Sequence, residues 1–373
     1  RRDGVPLWRD PALIADEAPA AGSPAPSADA GHALRFITLL AEKLTLADPH
    51  VLPAFEDHFY WLWKERRLPV NLPANDPRLA DEEERARLMR VFDRGLENVV
   101  GYVMPLGHLD GGWRSGPWFL RTDHIQLIPG DSPIGLRLPI DSLPWVAPID
   151  YPIDPPTDPF EPRAPLPRQR AQPRAASGRP APRIVNKPKA GESAKEIVRT
   201  ALAVEPRGGI LHVFLPPIAQ LEPFVELISA IEAAAADMRT PIRLEGYLPP
   251  RDPRLASFSV TPDPGVIEVN IQPTRSWSEL VSLSEDLYED ARQLGLGTEK
   301  FMIDGRHVGT GGGNHVTIGG PTAADSPILR RPDLLRSLLT CWHNHPSLSY
   351  LFSGMFIGPT SQAPRTDEAR NDL

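Results

Sequence analysis

Two short stretches of this chain set carboxylate, amide and imidazole groups at strand spacing. The first is Pro264-Gly265-Val266-Ile267-Glu268-Val269-Asn270-Ile271. The second is Gly309-Thr310-Gly311-Gly312-Gly313-Asn314-His315-Val316-Thr317-Ile318. Alternate residues of a strand share a face. Glu268 and Asn270 therefore oppose Ile267, Val269 and Ile271, and His315 and Thr317 oppose Val316 and Ile318. A carboxylate, an amide oxygen and an imidazole on one polar sheet face suit Mg²⁺ or Mn²⁺. Such hard cations prefer oxygen ligands and keep waters or substrate phosphates in their shell; imidazole joins most readily at Mn²⁺. An earlier strand pattern, Ile242–Tyr247, adds Glu245 on the same face as Arg243 and Tyr247. Glu245, Glu268 and His315 are thus the candidate metal ligands, with Asn270 and Thr317 beside them as candidate cofactor contacts.

The glycines Gly311, Gly312 and Gly313 let backbone come close to a phosphate. No Gly-Lys-Ser/Thr follows, so they are not a Walker loop. They do not open a helix after a strand, so a dinucleotide fold is not indicated. Arg306 just upstream and Arg365 near the end are the candidate catalytic anion clamps, since a guanidinium takes phosphate or carboxylate through two parallel hydrogen bonds. A surface ion pair and an ordered surface loop are their plain alternatives. Cys341 lies near His343 and His345 on a predicted helix among Leu338, Leu339 and Trp342, and is expected to be a buried structural thiol. No second cysteine exists to complete a zinc site of the usual kind, and Ser132 and Ser353 lack the nucleophile elbow of serine hydrolases.

The composition narrows the field. The chain has 373 residues, a formal charge of −8, 41% hydrophobic residues, 45 prolines and one cysteine. The acidic balance argues against nucleic acid as a partner. A single cysteine allows no internal disulfide and fits a reducing compartment. There is neither an apolar run long enough to span a membrane nor a signal-peptide pattern, so a cytoplasmic protein without a membrane partner is expected. The chain starts at Arg1 without Met and stops in a polar run, the pattern expected of a fragment.

The elements that must position these groups alternate along the chain. Helices are predicted over His32–Leu46, Phe55–Arg67, Asp81–Val99, Ala194–Val204, Pro223–Arg239, Ser278–Leu294 (capped by Ser276 or Ser278) and Arg331–Asn344 with Pro332 in its first turn. Strands are predicted over Gly101–Pro105, Trp118–Arg121, His124–Ile128, Ile210–Leu215, Ile242–Tyr247, Val266–Ile271 and His315–Ile318. Between Arg163 and Lys189 stand eight Lys or Arg and no acid, amid prolines and few apolar residues. Such sequence gains too little burial to offset its ordering entropy. The organisation read is an N-terminal region 1–148 of helices and short strands, a Pro/Arg-rich flexible linker or insertion 149–190, and a sheet region 191–373 cut short at its C-terminus. Strands separated by helices, with polar residues on one strand face, indicate an α+β enzyme.

The residues also resemble a known family. Pro264–Asn270 is similar to the Pro-Gly-Gln-x-Glu-Ile-Asn pattern of the glutamine synthetase superfamily, and Gly313–Thr317 to its Gly-x-His-x-His strand. Ser349–Arg365 looks like the segment of glutamate–cysteine ligases that ends in a phosphate- or substrate-contacting arginine. Nearly the whole chain, including Trp8–Pro11, Leu62–Pro69 and Gly130–Gly135, looks like a bacterial amidoligase family usually fused to a transglutaminase-like domain. The resemblance implies a glutamine-synthetase-like, mostly antiparallel sheet, with a polar catalytic face and helices on the other. It implies ATP and Mg²⁺ as cofactors and a ligase that joins a small-molecule or peptide carboxylate to an amine through an acyl phosphate. Glu268 and His315 would bind the metals that bridge the ATP phosphates, Glu245 would be the carboxylate of the earlier strand, and Arg365 would steady the transferred phosphoryl group. Thr317 stands where the superfamily strand has its second His. The alternative is therefore a catalytically degenerate module that binds a peptide or partner.

Overall fold

The computed structural model describes residues 6–15, 27–73, 76–79, 82–95, 97–109, 111–122, 124–129, 136–151, 163–166, 185–252, 254–263, 266–297, 300–301, 303–305, 307–308, 317–320 and 323–348. The chain divides into a larger unit, residues 6–155 and 166–252, and a smaller one that holds residues 1–5, 156–165 and 253–373.

In chain order the larger unit contains α1 (Ala30–Lys43), β1 (Leu52–Glu56), α2 (His58–Glu65), α3 (Glu82–Arg94), β2 (Gly101–Pro105), β3 (Gly107–Leu109), β4 (Gly112–Arg114), β5 (Ile125–Pro129), β6 (Leu136–Arg137), β7 (Ala201–Arg207), β8 (Ile210–Leu215), α4 (Leu221–Met238) and β9 (Ile242–Gly246). Seven of its strands form one sheet in the order β6-β5-β1-β2-β7-β8-β9. The sheet is mixed. β1·β2, β2·β7, β5·β6 and β7·β8 run antiparallel, while β1·β5 and β8·β9 run parallel. The parallel β8·β9 pair needs a crossover, which α4 supplies. The α+β class expected from the alternation of elements is the class found.

Helices cover one sheet face. Phe36, Ile37 and Leu40 of α1 and Phe224, Leu227 and Ile231 of α4 pack on Met104, Leu202, Val204, Leu211, Val213 and Ile242. The sequence of α1 puts its apolar residues at helical spacing, and Asp29 closes its first turn by accepting from His32 N at 3.0 Å. The buried Glu232 of α4 accepts from the backbone N–H groups of Arg9 and Asp10 at 3.0 and 2.9 Å. That pair of bonds ties down the N-terminal segment, which continues to a parallel bridge between Ile14 and Ile242.

The other sheet face is divided. Toward β5 and β1, Ala54, Val103, Ile125, Leu127 and Ala201 pack beneath Trp118, Leu143, Ala194 and Ile197 from irregular segments. Toward β7, β8 and β9 that face carries charge. In-register neighbours share a face, and the register pairs Glu205 with His212, His212 with Arg243, and Phe214 with Glu245. Past the end of β1, α2 and α3 pack through Trp61, Leu88 and Val91. The fully buried Trp61 donates Nε1–H to Glu56 Oε2 at 2.8 Å, which satisfies a carboxylate that is itself only 6% exposed.

The smaller unit contains β10 (Ser259–Asp263), β11 (Val266–Asn270), α5 (Trp277–Gln293), β12 (Lys300–Phe301), β13 (His307–Val308), α6 (Pro327–Arg330) and α7 (Pro332–Asn344). β10·β11 and β12·β13 are two-strand antiparallel ladders. Ser276 caps α5 by accepting from Glu279 N at 3.2 Å. Among the described residues of the chain, no helix is long and apolar enough to cross a membrane.

Three predicted elements differ from those found, and a fourth is described only in part. Residues 194–204 do not form a helix: they turn at Ala194–Ile197 and then run as β7. The ladders to β2 and β8 override the helix propensity of Ala, Lys and Glu here. Phe55–Arg67 splits at Asp57, so Phe55 belongs to β1. Asp57 caps α2 instead, accepting from Phe59 N and Tyr60 N. Trp118–Arg121 is not a strand. Trp118 is buried and donates Nε1–H to Val198 O at 2.7 Å, so a side-chain bond anchors this irregular stretch. Of His315–Ile318, Thr317 and Ile318 are irregular, while His315 and Val316 lie outside the described residues.

Two substitutions test this packing. Leu227→Ala, which empties a fully buried α4 position, is expected to cost about 2–5 kcal/mol. Gly246 has φ +98°, and a Cβ there would stand 2.6 Å from Leu215 O, so Gly246→Ala is also expected to destabilise. Both are read as a lowered urea midpoint; an unchanged midpoint for Leu227→Ala would contradict the α4–sheet core.

Candidate functional site

The charged end of the open face is a connected network. β7 brings Glu205 and Arg207, β8 brings His212 and Phe214, and β9 brings Arg243 and Glu245. Arg207 lies against Glu245 in a two-pronged contact, with Nη2 to Oε2 at 3.0 Å and Nη1 to Oε1 at 3.3 Å, and Nη2 also reaches Glu205 Oε2 at 3.3 Å. His212 Nδ1 stands 2.8 Å from Glu245 Oε1. Both oxygens of Glu245 are thus engaged. Among the described residues, Arg207 Nε and Arg243 Nη2 are buried with no hydrogen-bond partner. A buried donor left unpaired is costly, so these two N–H groups mark a place where the face carries more donors than it satisfies.

The titration of the network follows from its geometry. Burial pushes the Glu245 carboxyl up, but the hydrogen bonds from Arg207 and His212 outweigh it and hold the group below its ordinary value. Burial lowers His212, more than the bond to Glu245 raises it. Burial raises Glu205 in spite of Arg207. An ionised Glu245 can only accept. His212 Nδ1 is therefore the donor, and a neutral His212 carries its lone pair on Nε2. This is a carboxylate-oriented imidazole, an arrangement that can accept a proton.

Beside the network lies a cavity of about 420 Å³. Gly101, Val103, Ala201 and Ala203 form its floor, small residues that leave space above the strands. Phe214 and Tyr247 stand edge to face, with centroids 6.3 Å apart at 80°, and join Tyr151 in the wall. Glu205 and Arg199 supply charge to its lining. Arg199 Nη1 donates to Pro144 O at 2.8 Å.

The site residues expected from the sequence fall in different places. Glu245 lies in this network, in the larger unit. Glu268 and Asn270 lie on β11 of the smaller unit, exposed and on one face as the alternation predicted, with Asn270 Nδ2 donating to Glu268 Oε1 at 3.0 Å. Thr317 is exposed. His315, Arg306, Arg365, Gly311, Gly312 and Gly313 lie outside the described residues. Among the described residues no three His, Cys, Asp or Glu side chains come together so as to hold a metal. Cys341, expected to be buried, is exposed on α7, with Sγ 3.8 Å from His345 Nδ1. The leucines and Trp342 around it are exposed as well, so α7 gives it no core to enter.

Sequence reasoning passed over Glu205, Arg207, His212 and Arg199. Reading 194–204 as helix hid the alternation of Ala201, Ala203, Glu205 and Arg207. His212 and Phe214 alternate within a strand that was recognised, and that was a usable signal.

A family model described as "Putative amidoligase enzyme" matches residues 1–373. The chain belongs to this amidoligase family. No curated protein and no solved structure matches it. Membership makes a ligase-type activity the frame in which the open face is to be understood.

The coupling of His212 to Glu245 has a consequence for pH. The lowered His212 binds fewer protons folded than unfolded, so its contribution to stability is present above the ordinary imidazole value and shrinks as pH falls below it. The lowered Glu245 acts in the same sense at more acidic pH, and the raised Glu205 opposes both. His212→Asn is expected to flatten the fall in melting temperature between about pH 7 and about pH 5. An unaltered slope would show that His212 does not titrate as its burial requires.

Proposed function

We propose that this chain is an ATP- and Mg²⁺-dependent carboxylate–amine ligase with a glutamine-synthetase-like catalytic sheet. In that reaction a substrate carboxylate oxygen attacks the γ-phosphorus, the bond to ADP breaks, and an acyl phosphate forms. An amine then attacks the acyl carbon, phosphate leaves, and the amine gives up a proton. Catalysis of this kind rests on positioning and on charge neutralisation.

The observation that carries the reading is the charged sheet face. It bears arginine N–H groups that are buried without partners among the described residues, a carboxylate-oriented imidazole and an adjoining cavity, in a chain matched along its whole length by an amidoligase family. Arg207 and Arg243 would hold anionic oxygens, and His212 Nε2 would take the proton released by the amine. Glu245 acts through His212 and Arg207, since both its oxygens are committed to them.

Within the smaller unit, taken by itself, Glu268 and Asn270 offer a carboxylate and an amide, the oxygen chemistry that a hard cation selects. We assign the third donor to His315. Bound there, Mg²⁺ would neutralise the phosphate oxygens of ATP. Gly311–Gly313, Arg306 and Arg365 would contact the phosphates.

One feature favours the second reading, a degenerate module that binds a peptide. Thr317, in place of a second ligating His, lies in an irregular stretch.

Titration of ATP with and without Mg²⁺ separates the two. Mg²⁺-dependent binding is expected, and Glu268→Ala and His315→Ala are each expected to abolish Mg²⁺-dependent ADP release. Unchanged turnover in both variants would sink the ligase assignment, and peptide capture without nucleotide would support the module.

A further inference from the structure

The cavity on the open face has a lining that the ligase reading does not by itself explain. Its floor is made of small and apolar residues, Val103, Ala201 and Ala203, and its wall carries Phe214 and Tyr247. Such a surface selects an apolar group and offers nothing to a polyphosphate. Yet two opposite charges belong to the same lining, Glu205 and Arg199. They are not spent on each other. Glu205 takes one long hydrogen bond from Arg207, at 3.3 Å to Oε2, and beyond it feels the more distant charge of Arg87. Arg199 donates from Nη1 to the Pro144 carbonyl, a neutral partner, and among the described residues no carboxylate pairs with it. A half-buried guanidinium with no counter-ion among the described residues favours an anionic guest, and a buried carboxylate whose one direct contact is long leaves room for a cationic one.

We propose that this cavity binds a free amino acid with an apolar side chain as the amine substrate, its α-ammonium on Glu205, its α-carboxylate on Arg199 and its side chain on the Ala203, Phe214 and Tyr247 surface. The proposal rests on the ligase reading and names the amine it uses. A volume of about 420 Å³ accommodates a molecule the size of leucine or phenylalanine with solvent to spare.

The chemistry that follows is local. Glu205 and His212 are register partners on β7 and β8, so their Cβ atoms lie within about 5.5 Å of one another. An amine held on Glu205 is thereby brought close to an imidazole that Glu245 keeps in the proton-accepting tautomer. The ammonium loses one proton to solvent to reach its nucleophilic form. As its nitrogen bonds to the acyl carbon and the carbon–oxygen bond to phosphate breaks, a second proton leaves the nitrogen for His212. The product is an N-acyl amino acid, in which the α-carboxylate remains free and still matches Arg199.

Direct binding tests this without ATP, so its failure is separable from failure of the ligase reading, which the nucleotide titration and ADP release examine. Leucine, isoamylamine and 4-methylvalerate are titrated calorimetrically into the full chain and into Glu205→Gln, Arg199→Met and Ala203→Leu. Leucine is expected to bind the unaltered protein. Isoamylamine and 4-methylvalerate, each lacking one charged end, should bind roughly 10- to 100-fold more weakly, as should leucine to the two charge variants. Ala203→Leu keeps both charges and fills the floor, and should abolish binding while its melting transition remains cooperative. The proposal is overturned if leucine fails to bind, if it binds the Ala203→Leu protein undiminished, or if either single-charge compound binds as well as leucine.

Discussion

The antiparallel ladders that seat β7 between β2 and β8 are the constraint on which the rest of the larger unit depends. They join strands from before residue 150 to strands from after residue 190, so one sheet and one helix-covered core include both. Period-two alternation then sorts the side chains of β7. Leu202 and Val204 enter the core beneath α1 and α4, while Ala201, Ala203, Glu205 and Arg207 go to the opposite face. A slip of one residue would put Glu205 and Arg207 into that core, where an unpaired charge is very costly. The register is therefore pinned from both sides, by apolar burial on one and by charge on the other.

The open face shows how a sheet can hold buried charge without losing it to solvent or to the core. Arg207 bridges two carboxylates, and one of these, Glu245, fixes an imidazole. Breaking such a network by removing one member is worse than never having built it, because the remaining charge stays buried and uncompensated. The Arg207–Glu245 contact is thus a weak argument for stability and a stronger one for function. The same strands leave room beside the charges, because the residues at the floor are Gly101, Ala201 and Ala203. Gly101 has a second reason to lack a side chain: a Cβ there would stand 2.6 Å from Val204 O, so the closeness of β2 to β7 itself demands glycine.

The smaller unit follows another logic. Its ladders are short, and α5 and α7 have the apolar stripes of amphipathic helices, yet neither buries a residue. Cys341 was expected to be buried because a helix that places cysteine among leucines and tryptophan usually faces a core. The stripe is present on α7, and the core that would cover it is not supplied by the described residues. Periodicity reports which face of a helix is apolar; it does not report what that face meets.

Local physics alone determined a good deal of this protein. The spans of β2 and β8, the bodies of α1, α4, α5 and α7, a serine cap at 276 or 278 and the shared face of Glu268 and Asn270 were legible because each depends on residues within a few positions of one another. Family membership was legible too, from blocks spread along the chain. The strand at 201–207 was not, because Ala, Lys, Glu, Ile and Val just before it suit a helix equally well, and only hydrogen bonds to β2 and β8 decide between them. For the same reason Glu205, Arg207 and His212 did not stand out as a group. A charged cluster made of residues 205, 207, 212, 243 and 245 exists only once three strands are laid in register, and the cavity beside it only once small residues from β2 and β7 are set side by side. Sequence determines which groups a strand can present; strand pairing, which depends on contacts far apart in the chain, decides which of them meet.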